Sequence, residues 1–314
     1  MNCKLRALLI FLLLFTASSC VHRIEYLNAP KELPQITKEI EKVNVALVLG
    51  GGGAKGFAHL GVIEVLEKNN IPIDLIVGTS AGSIVGALYA DNPDIKSLKK
   101  KLIQVQRKDL LDTHIFSAIY GVVRGESLRS FLDKNLKKKN IEDLQIPFVA
   151  VATSLETNQP FIFRTGPVIP AVHASSALPM VFTPVYLYGH HFIDGGAIEP
   201  VPVSIAKKFA PKLIIAVNIS SSPKTTDDYS KLSTFGGYNG PAIAYHALNI
   251  SYYELAKLQS QHADVNIQPD LKEISLFDDT KKTEMFNRGK VAAESKLHEI
   301  HLKLYKSGIK KIKR

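Results

Sequence analysis

Residues 45–56 read Val45-Ala46-Leu47-Val48-Leu49-Gly50-Gly51-Gly52-Gly53-Ala54-Lys55-Gly56. Five apolar residues stopped by glycines predict a buried strand. Past the glycines, Ala58 to Lys68 places Leu60, Ile63, Val65 and Leu66 at helical spacing. A strand that turns through glycines into a helix bares backbone N–H groups at the positive end of that helix. Such a cradle suits an anion, and two kinds fit. A phosphate would make a dinucleotide site, because Gly51, Gly53 and Gly56 satisfy G-x-G-x-x-G. A developing oxyanion would make half of an acyl-transfer site. The loop is not a Walker loop, since Lys55 is followed by Gly56 rather than Ser or Thr.

The next strand and helix, Ile73 to Val77 and Ala81 to Tyr89, enclose Gly78-Thr79-Ser80-Ala81-Gly82. This is the G-x-S-x-G nucleophile elbow, in which Gly78 and Gly82 relieve crowding so that the Ser80 hydroxyl stands exposed. A dinucleotide fold wants an acid at the end of this second strand to hold the ribose. The strand ends in Val77-Gly78-Thr79-Ser80 with no acid, and Asp74 comes too early. Acyl transfer is therefore the better reading of the glycine loop.

Further strands are expected over Ile146 to Thr153, Phe161 to Arg164 and Leu213 to Ile219. A helix is expected over Ala242 to Leu258, with Leu248, Tyr252 and Leu255 on one face. This alternation predicts an α/β fold, a three-layer sandwich around a mostly parallel sheet. Residues 220–240, rich in Ser, Thr, Gly and Tyr, read as a loop long enough to form a flap.

A serine nucleophile needs a base. Ten histidines are present. Among them His59, His173, His190, His191 and His246 are candidates, and none carries a defining local signature. An acid is offered by Phe192-Ile193-Asp194-Gly195-Gly196, although Asp before two glycines alone is a common turn. Taken together, the three motifs resemble the patatin-like phospholipase family, related in fold to the cytosolic phospholipase A catalytic domain. Ala174-Ser175-Ser176-Ala177-Leu178-Pro179 resembles the family's block between serine and aspartate. Lys55 stands where many members have Arg, which keeps the positive charge. The resemblance covers roughly Val43 to Phe209 and fades beyond about Gln261.

The resemblance implies a serine acyl hydrolase acting on (lyso)phospholipid esters through a dyad without histidine. Ser80 is then the nucleophile, Asp194 the base, and the N–H groups of Gly51, Gly52 and Gly53 the oxyanion hole. Gly56, Gly195 and Gly196 complete the motifs, and Lys55 braces the loop in preference to holding substrate phosphate. An Asp near its reference pKa of about 4 is a weak base at neutral pH, so the reading asks for burial around Asp194. No metal and no cofactor are expected, since Asp227-Asp228 and Asp278-Asp279 lack a calcium-loop pattern. A thioesterase or general carboxylesterase, or a catalytically silent lipid-binding lipoprotein, are the alternatives.

The 314-residue chain is 46% hydrophobic and 22% charged, which excludes a disordered chain and a polytopic membrane protein. Lys4 and Arg6, the apolar run Leu8 to Phe15 and the small residues Ala17-Ser18-Ser19 read as a signal peptide over 1–19. Thr16-Ala17-Ser18-Ser19-Cys20 resembles a bacterial lipoprotein box, which implies a lipid on Cys20 and a place in an outer membrane facing the periplasm. Cleavage before Cys20 would also remove Cys3, leaving no cysteine in the folded body and so no disulfide. Residues 20–42 then form a tether, 43–209 the catalytic domain, and 210–314 an extension that completes it and ends in a basic tail. The net charge of +10 suits an anionic membrane surface, and no nucleic-acid partner is expected.

Overall fold

The computed structural model describes residues 24–25, 32–36, 38–112, 123–223, 233–234, 237–238, 240–276 and 278–310. The expected signal peptide, Cys20, most of the 220–240 loop and the last four residues lie outside them. In chain order the strands are β1 (Ile24–Glu25), β2 (Val45–Leu49), β3 (Leu75–Thr79), β4 (Phe148–Ser154), β5 (Gln159–Phe163), β6 (Val185–Leu187), β7 (His190–Asp194), β8 (Leu213–Val217), β9 (Ser233–Thr234), β10 (Gly237–Tyr238) and β11 (Val265–Ile267). The helices are α1 (Phe57–Lys68), α2 (Ala81–Asp91), α3 (Ile95–Ile103), α4 (Arg107–Leu110), α5 (Glu126–Asn135), α6 (Val168–Ser175), α7 (Val203–Lys207), α8 (Gly240–Ser260) and α9 (Lys282–Lys306).

The main sheet runs β1-β6-β7-β4-β3-β2-β8-β11, with β5 on β4. Its centre, β4-β3-β2-β8-β11, is parallel throughout. Alternate residues of these strands face opposite layers, as the two-residue period of a strand requires. Leu47, Leu49, Ile76 and Phe148 pack in the larger core under α1, α2 and α9. Ala46, Val48, Val77 and Val151 meet Val203, Ile205 and Ala256 on the other face. The protein is thus the expected three-layer α/β sandwich.

Two departures have clear causes. The strand expected from Ile73 begins at Leu75, because the Asp74 carboxylate accepts from Asn44 N and Val45 N at 2.9 Å each and makes a turn of that point. On α8, Leu248 is exposed rather than inward, and Ala256 is the buried apolar residue among those described, with Ser260 buried at the helix end. Part of the expected tether lies on the body. Ile24 pairs with Val185 at the sheet edge, and Arg164 holds Glu39 at 3.2 Å.

Helices α1 and α9 touch backbone to backbone. A Cβ on Gly61 would fall on the Phe286 carbonyl, and one on Gly289 would fall on the Ala58 carbonyl. Neither obstacle is a flexible side chain, so the helices would have to separate. Gly61→Ala is expected to destabilise the protein by about 1–3 kcal/mol, the usual cost of overpacking, read as a lower midpoint in urea unfolding.

Candidate active site

Strand β4 is bordered on one side by two strands placed end to end. Over Phe148–Val151 its neighbour is parallel β3, whose last residue Thr79 stands opposite Val151. Over Ala152–Ser154 the neighbour is antiparallel β7, whose last residue Asp194 stands opposite Ala152. Strand β5 takes the other edge. The two chains therefore run toward each other and leave the sheet at the same point. Ser80 follows one end and Asp194 closes the other.

Ser80 has φ 54° and ψ −123°, a conformation costing on the order of 1–3 kcal/mol for a residue with a side chain. The turn can be this tight because its flanks lack side chains. A Cβ on Gly78 would sit 2.6 Å from the Gly82 carbonyl oxygen, and one on Gly82 would land on the Leu49 carbonyl. The strain is held by hydrogen bonds. Ser80 N–H donates to Ser175 Oγ at 3.1 Å, and that hydroxyl donates to Val151 O at 2.6 Å. The Ser80 carbonyl accepts from the Ser83 and Ile84 amides at 2.8 and 3.1 Å and from the Ser83 hydroxyl at 2.7 Å. Two residues beyond Ser175, the Ala177 carbonyl accepts from Asp194 N–H at 2.9 Å. The block between serine and aspartate thus ties both loops to one helix end. Sequence reasoning saw the block but not that task, because its contacts are long-range.

Asp194 is 2% exposed. One carboxyl oxygen accepts from Gly196 N–H at 2.7 Å. The other, Oδ2, is buried and closes no well-formed hydrogen bond. Burial pushes the pKa up to about 6, against the opposing pull of hydrogen bonding from the Ser80 hydroxyl and the Gly196 amide. The expected burial around Asp194 is therefore present.

The glycine loop departs from expectation at one position. Gly51 N–H donates to Pro200 O at 2.9 Å, so that amide is committed to holding the loop against the chain after Asp194. Gly52 and Gly53 follow it into the cavity wall, and Gly53 sits at φ 54°. Gly56 packs on Ala81, and Gly195 on the Val151 carbonyl. Lys55 is 8% exposed and donates to Ser221 Oγ at 2.5 Å, which ties the loop to the chain after β8. Burial lowers its pKa to about 8.

The histidines are placed elsewhere. His59 bonds the Gly50 carbonyl at 2.8 Å, and burial lowers its pKa to about 4. His173 packs against Phe182, with its pKa pushed down to about 3 by burial. His190 and His191 meet Ser154 and Glu156 at the β6–β7 hairpin. His246 lines a second cavity. None of the described histidines lines the cavity that holds Ser80 and Asp194.

That cavity has a volume of about 210 Å³ and is walled by apolar side chains, among them Phe57, Ile84, Leu102, Leu128, Phe131 and Phe182. A second cavity, of about 330 Å³, holds Lys55, Ser221, His246 and Lys272 and shares Gly52, Asn249 and Tyr252 with the first. Among the described residues, no three His, Cys, Asp or Glu lie together as a metal site. No described helix is long and apolar enough to cross a membrane.

The family model for patatin-like phospholipase matches residues 47–207. Patatin-like phospholipase domain-containing protein 6 of Mus musculus is 30% identical over 236 residues, covering 71% of this chain and 17% of that protein. An uncharacterized NTE family protein of Mycobacterium tuberculosis is 36% identical over 180 residues, covering 57% and 49%. Lysophospholipase NTE1 of Scheffersomyces stipitis is 34% identical over 186 residues, covering 58% and 12%. The chain therefore spans less than half of each of these relatives. VipD from Legionella pneumophila shares the fold, with a TM-score of 0.54 at 15% identity, covering 83% of this chain and 67% of VipD.

A carboxylate held at a pKa of about 6 against a reference of 3.8 weakens the fold. The penalty is fully present above pH 6, where the carboxylate is charged in both folded and unfolded chains. It vanishes below about pH 4, where both are protonated. Asp194→Asn keeps an oxygen for Gly196 N–H and removes the charge. It is expected to be more stable than the native chain at pH 8, by up to about 3 kcal/mol, with the gain fading toward pH 4 in urea titrations.

Proposed function

The chain belongs to the patatin-like phospholipase family, and from that premise we propose that it is a serine acyl hydrolase cleaving fatty acyl esters of phospholipids or lysophospholipids. The observation that carries the reading is the shared cavity. A serine on a strained turn and a carboxyl group with a raised pKa open onto one apolar chamber.

In this reading the acyl chain lies among Phe57, Leu128, Phe131 and Phe182, where burial contributes about 0.8 kcal/mol per CH₂. Ser80 Oγ attacks the ester carbonyl while Asp194 takes the hydroxyl proton. The carbonyl π pair moves onto oxygen, where Gly52 N–H and Gly53 N–H receive it. Collapse breaks the bond to the alcohol, which leaves with the proton from Asp194. Water, activated by the same carboxylate, then frees the fatty acid and restores Ser80. A base with a pKa of about 6 is almost fully ionised at pH 7.5 and holds a proton better than an ordinary aspartate.

The proposal extends to the placement of the enzyme, supported by the basic start, apolar run and small residues before Cys20. Residues 1–19 direct export, Cys20 carries the lipid, and the anchor holds the domain at the surface that contains its substrate. Two or more acyl chains anchor stably.

The test is fatty acid release from phospholipid and lysophospholipid vesicles, with soluble short esters and acyl thioesters alongside. Ser80→Ala and Asp194→Asn are each expected to lower kcat by at least about 1,000-fold. The wild-type rate is expected to fall as pH drops through about 6, where Asp194 becomes protonated and cannot accept the serine proton. Unchanged release by either variant defeats the dyad. Higher turnover of the soluble esters or thioesters would move the activity away from phospholipids.

A further inference from the structure

The oxyanion cradle described above is one donor short, since Gly51 N–H is bonded to Pro200 O at 2.9 Å. Another hydroxyl stands at that point. Tyr252 lies on α8, outside the 47–207 segment that matches the family model. A Cβ built on Gly51 would run into the Tyr252 hydroxyl and would also come within 3.1 Å of Ser80 Cβ. The phenol and the serine therefore flank the same small space beside Gly51. At its other end the ring covers the Asp194 turn. A Cβ on Gly196 would sit 2.5 Å from Tyr252 Cε2 and 3.0 Å from Asp194 Oδ1. Tyr252 thus spans from the acid to the glycine loop, and it lines the same cavity as Ser80 and Asp194.

The chemistry of the group suits a donor. Burial, reinforced by the negative charge of Asp194, pushes the phenol pKa well above its usual 10. The proton stays on at any working pH, so the hydroxyl always has one hydrogen to offer. Filling space over the Asp-Gly-Gly turn would need only the ring. The hydroxyl extends past that turn to Gly51, the one of the three expected oxyanion glycines whose amide is already bonded.

We propose that the Tyr252 hydroxyl is a catalytic residue of this chain, donating to the oxyanion where Gly51 does not. The proposal rests on the serine hydrolase reading. As the Oγ–carbon bond forms, the π pair passes to the carbonyl oxygen and the serine proton to Asp194. Gly52 N–H, Gly53 N–H and Tyr252 O–H then hold the oxyanion, and Tyr252 keeps its proton throughout. On collapse the electron pair returns, the bond to the leaving alkoxide breaks, and that alkoxide takes the proton from Asp194.

The experiment compares full-length wild type, Tyr252→Phe and Ser80→Ala on lysophospholipid. It adds binding of a trifluoromethyl ketone with a fatty tail, which forms an alkoxide on Ser80. Tyr252→Phe keeps the ring and is expected to melt like wild type. Its kcat is expected to fall about 100-fold with KM nearly unchanged, as for loss of one oxyanion donor. Ketone affinity should fall by the same factor as kcat/KM, while the acid limb of the pH profile stays in place. A wild-type kcat in Tyr252→Phe overturns the proposal. So does a loss that comes only from a moved acid limb, which would assign the hydroxyl to Asp194 instead. Should the variant not fold, a structure of the wild-type ketone adduct decides, and a phenol beyond hydrogen-bond reach of the adduct oxygen overturns it. A Ser80→Ala enzyme that still turns over would sink the serine reading itself. A dead Ser80→Ala beside a fully active Tyr252→Phe would sink the tyrosine alone.

Discussion

The site depends on one strand edge used twice. β4 gives its first half to β3 and its second half to β7, and the change of partner falls between Val151 and Ala152. Because the partners run in opposite senses, their ends meet head on. A slip of one residue in either ladder would turn the exposed end to the other face of the sheet and separate the hydroxyl from the carboxyl. Ladder register, rather than any contact between the two side chains, brings them together. This explains how an acid near residue 190 reaches a serine near residue 80.

Meeting head on leaves little room, and the glycines answer that crowding. Gly78, Gly82 and Gly195 each stand where a Cβ would strike a backbone carbonyl. Close approach alone would let the turn relax, however. The end of α6 prevents this by bonding to both loops, through Ser175 to the Ser80 amide and through the Ala177 carbonyl to the Asp194 amide. The Ser175 hydroxyl also donates to Val151 O, at the point where β4 changes partner. The strained serine is therefore referenced to the same strand that sets its register. A strained residue persists only where its surroundings over-determine it, as they do here.

Much of this was legible in the sequence because the signals are local. Val45–Leu49 followed by glycines gave a strand and a turn, and the spacing of Leu60, Ile63 and Leu66 gave α1. Ser80 was legible because only a glycine-flanked turn between strand and helix needs that pattern. What escaped notice was set by distant partners. Asp74 delays the start of the strand expected from Ile73 because its carboxylate serves β2. Gly51 looked equivalent to Gly52 and Gly53, and only the Pro200 carbonyl distinguishes it. Leu248 looked like a core residue, yet helical spacing alone cannot say how much of a face has a partner. In the sequence Tyr252 stands only on one helix face with Leu248 and Leu255, since no local pattern marks a side chain that reaches a site built by a segment nearly two hundred residues earlier.

Asp194 shows how burial can stand in for an imidazole. A histidine near the site would supply a base with a pKa close to 6.5 without special surroundings. His59 and His173 are instead buried until they lose basicity, at about 4 and about 3. The same desolvation acts on a carboxyl group in the opposite direction, because there the charged form carries the proton deficit. Buried among β7, the Asp-Gly-Gly turn and the Tyr252 ring, Asp194 is lifted toward the range a free histidine would occupy. Burial thus removes His59 and His173 as bases and makes the aspartate one. The lift is opposed by the pull of the Ser80 hydroxyl and the Gly196 amide, which favour the charged form. The useful pKa is therefore a balance. Enough water is excluded to make the carboxylate basic, and enough donors remain to keep it ionised.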